Sequence, residues 1–152
     1  MRQGANIAVI LAMASLVPVG ASAVVAADGR PVSPRAVFAE HDPQGRIPNT
    51  TIRPLGTIRV RTSVYEVYYL NFTNPVSLHG QQRIAIIKNG SKFAGSYQCT
   101  LGRGPDDGRI TFGSDRLTVS IAGMAFAIRF SEQGPTRNKF FCGEGSGWED
   151  GI

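Results

Sequence analysis

Ile84 to Cys99 reads IAIIKNGSKFAGSYQC, and the middle of this stretch decides the fold class. Asn89-Gly90 lies between two runs rich in β-branched and aromatic residues, and both residues accept the positive φ of a type I′ turn. A two-residue turn predicts a hairpin of fixed register. Lys88 then faces Ser91, Ile87 faces Lys92, Ile86 faces Phe93, Ala85 faces Ala94 and Ile84 faces Gly95. One face carries Ile84, Ile86, Phe93, Tyr97 and Cys99, a core face; the other carries Lys92, Ala94, Ser96 and Gln98. Gly95 leaves bare backbone between Phe93 and Tyr97, over which an aromatic ring can fold.

The period of two continues on both sides of this hairpin. Thr57 to Thr62 (TIRVRT) alternates Ile58 and Val60 with Arg59 and Arg61. Val64 to Phe72 (VYEVYYLNF) has apolar residues at both parities, which predicts a central strand covered on both faces and ending at Thr73-Asn74-Pro75. After the hairpin, Gly102 to Gly108 (GRGPDDG) is turn-forming, and Arg109 to Phe112, Arg116 to Ile121 and Ala125 to Phe130 alternate again. A polar loop, Ser131 to Lys139, leads to Phe140-Phe141-Cys142 and the tail GEGSGWEDGI. No amphipathic helix of ordinary length is evident, and short connections favour antiparallel neighbours. The expectation is an all-β domain over residues 57–152: a small antiparallel β-sandwich or barrel of about seven strands with one disulfide. An immunoglobulin domain fits poorly, because Trp148 follows both cysteines instead of lying between them.

Residues 1–27 read as a secretory signal peptide. Arg2 supplies the positive start, and Ile7 to Val19 is free of charge but shorter than the ~20 apolar residues of a membrane span. Small residues at Ala21-Ser22-Ala23 and Val25-Ala26-Ala27 place cleavage after Ala23 or Ala27. No cysteine stands at that junction to accept a lipid. Export to the periplasm or exterior leaves Cys99 and Cys142 in an oxidising space, where two thiols in a small domain pair. Five prolines punctuate residues 28–56, which predicts an extended arm ahead of the domain.

Chemistry-bearing motifs are sparse. The histidines are His41, beside Asp42 in the arm, and His79, in the loop before the hairpin, and neither has neighbouring ligands at metal-site spacing. No cofactor is implied. The glycine-rich stretches lack the spacing of a phosphate loop, and no G-x-S-x-G elbow occurs. The basic residues carry more information. The formal net charge is +5; Arg59 and Arg61 share one strand face, and the hairpin places Arg83 and Lys92 on one face. With His79 and the tyrosines of the central strand, such rows would make a shallow positive surface for a polyanion. The sequence therefore favours an exported, non-enzymatic β-domain that binds another envelope component or protein, an anionic one being the accessible choice. Two alternatives stay open: a small secreted hydrolase with a loop-built site and His79 as base, and an oligonucleotide-binding barrel using the basic face. Export makes nucleic acid the less accessible partner.

Overall fold

In the computed structural model, Ser63–Phe72 (β2) is flanked on both faces by packed side chains, as its two-sided apolar pattern predicts. The structure describes residues 32–72, 81–99, 101, 109–121, 123–137, 142 and 147–152. The expected signal peptide, the loop holding His79 and the Gly102 to Gly108 turn lie outside the described residues.

The other strands are β1 (Thr50–Val60), β3 (Gln81–Lys88), β4 (Lys92–Gln98), β5 (Arg109–Phe112), β6 (Arg116–Ile121), β7 (Met124–Arg129) and β8 (Trp148–Glu149). They form two antiparallel sheets, a five-stranded one in the order β1-β2-β3-β4-β8 and a three-stranded one in the order β5-β6-β7. The sheets face each other across a core of Ile58, Tyr65, Val67, Ile84, Ile86 and Tyr97 from one side and Leu117, Val119, Ile128 and Phe130 from the other. They do not close into a barrel, so of the two expected architectures the barrel is not the one formed. Cys99 and Cys142 are bonded, with Cα atoms 5.3 Å apart, and Cys99 is fully buried in this core.

A second core lies on the other face of the five-stranded sheet, where Tyr68, Leu70, Phe72, Ala85, Ile87 and Phe93 meet Val37, Phe38 and Ile47. Here the structure corrects the expectation of an extended arm over residues 28–56. Pro34–Glu40 is a short helix, α1. Pro34 occupies its first turn, where no donor is needed, and the Ser33 hydroxyl accepts the Ala36 N–H at 3.1 Å. Seven residues have little helical stability alone; burial of Val37 and Phe38, with Phe38 edge-on to Tyr68 at 5.4 Å, holds the helix in place. Asp42 accepts the Ile47 N–H at 2.7 Å, and Arg35 donates to the carbonyls of Ile47 and Thr50, so the chain is fastened into β1. The expected domain boundary at residue 57 falls inside that strand. Pro54 is tolerated because β1 is an edge strand and the proline stands at a bulge. Leu55 is the extra residue, and it inverts the parity: Ile52 packs toward the second core, Ile58 into the first.

The same device alters the hairpin. Asn89 and Gly90 have the expected positive φ, 51° and 70°. The turn, however, takes in Ser91 as a third residue, so the register is Lys88 with Lys92, not Ser91, and Ile87 with Phe93; then Ala94 bulges out, and Ile86 meets Gly95. Asn89 is also committed to β2, its N–H donating to the Val64 carbonyl at 2.7 Å and its side-chain oxygen accepting from the Val64 N–H at 2.8 Å. Phe93 is thereby moved to the second core, whereas Ile84, Ile86, Tyr97 and Cys99 keep the face read from the sequence. The ring that covers Gly95 belongs to Trp148 in β8.

Candidate functional site

β8 pairs with β4 only at Ser96 and Tyr97, and Gln98 adds a bond from its N–H to the Gly147 carbonyl. The remaining outer edge of β4, Lys92 to Gly95, borders a cleft of about 730 Å³ whose opposite wall is the segment from Arg129 to Arg137. That wall is a short extension of β7. Phe130 bridges to Pro135, the Thr136 N–H donates to the Arg129 carbonyl at 2.8 Å, and the Ser131 N–H closes the tip on Gly134 at 3.0 Å. Three groups fasten it to the five-stranded sheet. The Tyr65 hydroxyl donates to the Ser131 carbonyl at 2.6 Å, the Tyr97 hydroxyl donates to the Thr136 carbonyl, and the Lys88 ammonium donates to the Glu132 carbonyl while lying over the Tyr65 ring. Burial pushes the Tyr97 phenol above its usual range, only partly offset by the bond to Thr136.

The inner end of the cleft is aromatic. Trp148 covers Gly95, meets Tyr97 edge-on at 5.1 Å, and donates from Nε1 to Asp150 at 3.0 Å. Arg137 lies over the Trp148 ring and pairs with Asp150 at 3.4 Å. At the other end His41 stacks on Phe93, ring centres 4.6 Å apart, and its backbone carbonyl accepts the Ile152 N–H at 3.0 Å. Its described role is packing. Asp42, its neighbour, is buried in the turn before β1 and does not line the cleft.

Four cations line this space, Lys88, Lys92, Arg129 and Arg137, against two carboxylates, Asp115 and Asp150. Asp150 is taken by Arg137. Among the described residues Lys92 and Arg129 make no ion pair. Such a cleft offers ammonium and guanidinium donors to a carboxylate or phosphate, beside an aromatic wall.

The basic residues singled out in the sequence do not form one row. Lys92 lines the cleft. Arg59 is exposed on β1, on the side opposite Ile58. Arg61 has φ 51° in the turn after β1 and pairs with Glu132 at 3.3 Å. Arg83 is only 5% exposed; it pairs with Glu149 at 2.5 Å and donates to the Ser96 hydroxyl at 3.2 Å. It is a buried member of the second face, whereas Lys92, opposite Lys88, belongs to the first. Alternation alone put Arg83 in solvent, but the four consecutive apolar residues Ile84 to Ile87 were the sign that β3 has no solvent face. Arg129, Arg137 and Trp148 come from elements distant in sequence, and Lys88 faces Lys92 only because the turn takes in Ser91, so alternation does not bring these four together. His79 lies outside the described residues.

Among the described residues no three His, Cys, Asp or Glu side chains converge, and no helix is long and apolar enough to cross a membrane. Comparison of the chain with protein-family models, with curated proteins and with solved structures finds no match.

Proposed function

We propose that the protein is an exported, non-enzymatic β-domain that holds an anionic group of another envelope component in the cleft beside β4. The observation that carries this reading is the convergence of Lys88, Lys92, Arg129 and Arg137 on one preformed space that holds two carboxylates. The wall is fixed by three hydrogen bonds to the facing sheet, so a ligand would not have to order the backbone that carries Arg129 and Arg137. The bonded cysteines suit an oxidising compartment, in keeping with the signal peptide read from residues 1–27.

Titration calorimetry of the purified protein with poly-L-glutamate and with polyphosphate tests it. One of the two polymers is expected to bind at low salt and to weaken as salt is raised. The double variant Lys92→Glu, Arg129→Glu is expected to bind at least tenfold more weakly at an unchanged thermal midpoint, since both side chains are exposed. Binding of neither polymer, or equal binding by the variant, would refute the cleft as an anion site.

A further inference from the structure

The three-stranded sheet buries one face in the first core and turns the other away from it. Alternation and register place Arg109, Arg116 and Arg129 on that outer face. Between them lie only Thr111, Thr118, Ser120, Ala125 and Ala127, so the floor is flat and small. No carboxylate occupies a strand position on this face; of the acids next to it in sequence, Asp115 stands in the β5–β6 turn at the cleft, and Asp106 and Asp107 lie outside the described residues. Arg116 and Arg129 are direct cross-strand partners, a like-charge arrangement that costs stability wherever nothing anionic bridges it. None of the three arginines makes an ion pair among the described residues. A face that merely solubilises a sheet mixes both signs; the described strand positions of this one carry a single sign.

We infer that this outer face is a second binding surface, and that its ligand is an acidic polysaccharide. The arginine forks match carboxylate or phosphate groups on such a chain, and the hydroxyls of Thr111, Thr118 and Ser120 match its sugar hydroxyls. Single-stranded nucleic acid would need aromatic side chains on which bases stack, and the face has none. An anionic bilayer would be held more firmly by apolar side chains that enter it, and the apolar residues at the outward positions are alanines alone. Four residues along β6 separate the Arg116 row from the row of Arg109, a span of roughly 13 Å at the strand rise. Arg129 belongs both to this face and to the cleft wall, so a chain lying across the sheet would run on into the cleft. The inference extends the cleft reading and rests on two arginines outside the cleft, Arg109 and Arg116, beside the shared Arg129.

Those separate residues make the test decisive. The purified protein is titrated with polygalacturonate, neutral dextran, an oligo(dT) strand and phosphatidylglycerol vesicles. Wild type is expected to bind polygalacturonate in a salt-dependent manner and dextran not at all. Arg109→Gln, Arg116→Gln is expected to weaken polygalacturonate binding at least tenfold while leaving short poly-L-glutamate binding in the cleft unchanged, since neither residue lines the cleft and no new carboxylate is set beside Arg129. The thermal midpoint should hold or rise, because the Arg116→Gln change removes the like charge across from Arg129. Unchanged polygalacturonate binding in this variant overturns the second surface and leaves the cleft standing. Loss confined to this variant, with Lys92→Glu, Arg137→Glu behaving as wild type toward every polymer, upholds the face and removes the cleft. Tighter binding of oligo(dT) or of vesicles than of polygalacturonate overturns the assigned ligand class.

Discussion

Gly95 has φ +122°, and a Cβ added there would overlap the Trp148 ring. Two separate constraints therefore meet on one residue: a backbone conformation that L side chains rarely adopt, and an aromatic ring lying on the bare backbone. The ring is where the cleft ends and where β8 crosses β4, so its placement matters to both. Gly95→Ala is expected to cost about 2–4 kcal/mol, the sum of backbone strain and overpacking. Because Trp148 is the chain's single tryptophan, its fluorescence reads the local event directly. A lowered urea midpoint with red-shifted native emission is expected; wild-type stability and emission would show that Trp148 does not sit on Gly95. The pairing of Arg83 with Glu149 is a different case of local specification. The arginine is buried and the carboxylate half-exposed, so the pair chiefly prevents an uncompensated charge beneath β8.

At the scale of elements, period-two alternation placed the β1–β7 strand segments in outline, and the two-sided apolar run in β2 identified an interior strand of the larger sheet, covered on both faces. What alternation cannot show is a bulge. One extra residue at Leu55 and one at Ala94 cost little locally, yet each reverses every inward assignment beyond it, which is why Phe93 changed cores. Nor could it show α1, whose stability comes from Phe38 against Tyr68 and Phe93 more than from propensity, or β8, which is two residues long. The cleft was legible only at Lys92, because its walls are set by contacts between residues 39 to 67 positions apart, such as Tyr97 with Thr136 and Tyr65 with Glu132. Those tyrosine fastenings make an element-level prediction. An unfolded tyrosine ionises near pH 10, whereas burial holds the Tyr97 phenol neutral to higher pH. The unfolded chain then releases a proton that the folded chain keeps, so this stability is fully present below pH 10 and is lost as pH rises beyond it. Tyr68, raised by burial and by its bond to Glu66, adds in the same direction. Tyr97→Phe is expected to cost about 0.5–1.5 kcal/mol at neutral pH and to flatten, without abolishing, the decline above about pH 10. Urea midpoints measured on either side of that pH check this, and an unaltered pH slope in the variant would count against the buried phenol.

Over the whole molecule, the five-stranded sheet is covered twice, by the three-stranded sheet on one face and by α1 with the last residues on the other. Both coverings converge on β4 and β8. Trp148 packs against the first core, Ile152 is buried in the second, and the bond between Cys99 and Cys142 holds the start of this closing segment to the end of β4. A bridge across 43 residues is worth about 3–4 kcal/mol by loop-closure entropy, a large share of what so small a domain can have in reserve. The export proposed from residues 1–27 and the stability of the domain can therefore be tested together. Expressed in a bacterium with its own N-terminus, the protein is expected in the periplasm, beginning at Val24 or Asp28 and without a free thiol by intact mass and alkylation. Reduction with dithiothreitol should then lower its stability by about 3–4 kcal/mol and red-shift the Trp148 emission as β8 loosens from β4, and reoxidation should reverse both changes. A cytosolic product that keeps Met1 would sink the export reading. A reduced protein as stable as the oxidised one, with unaltered emission, would instead show that hydrogen bonds and packing hold β8 without the bridge.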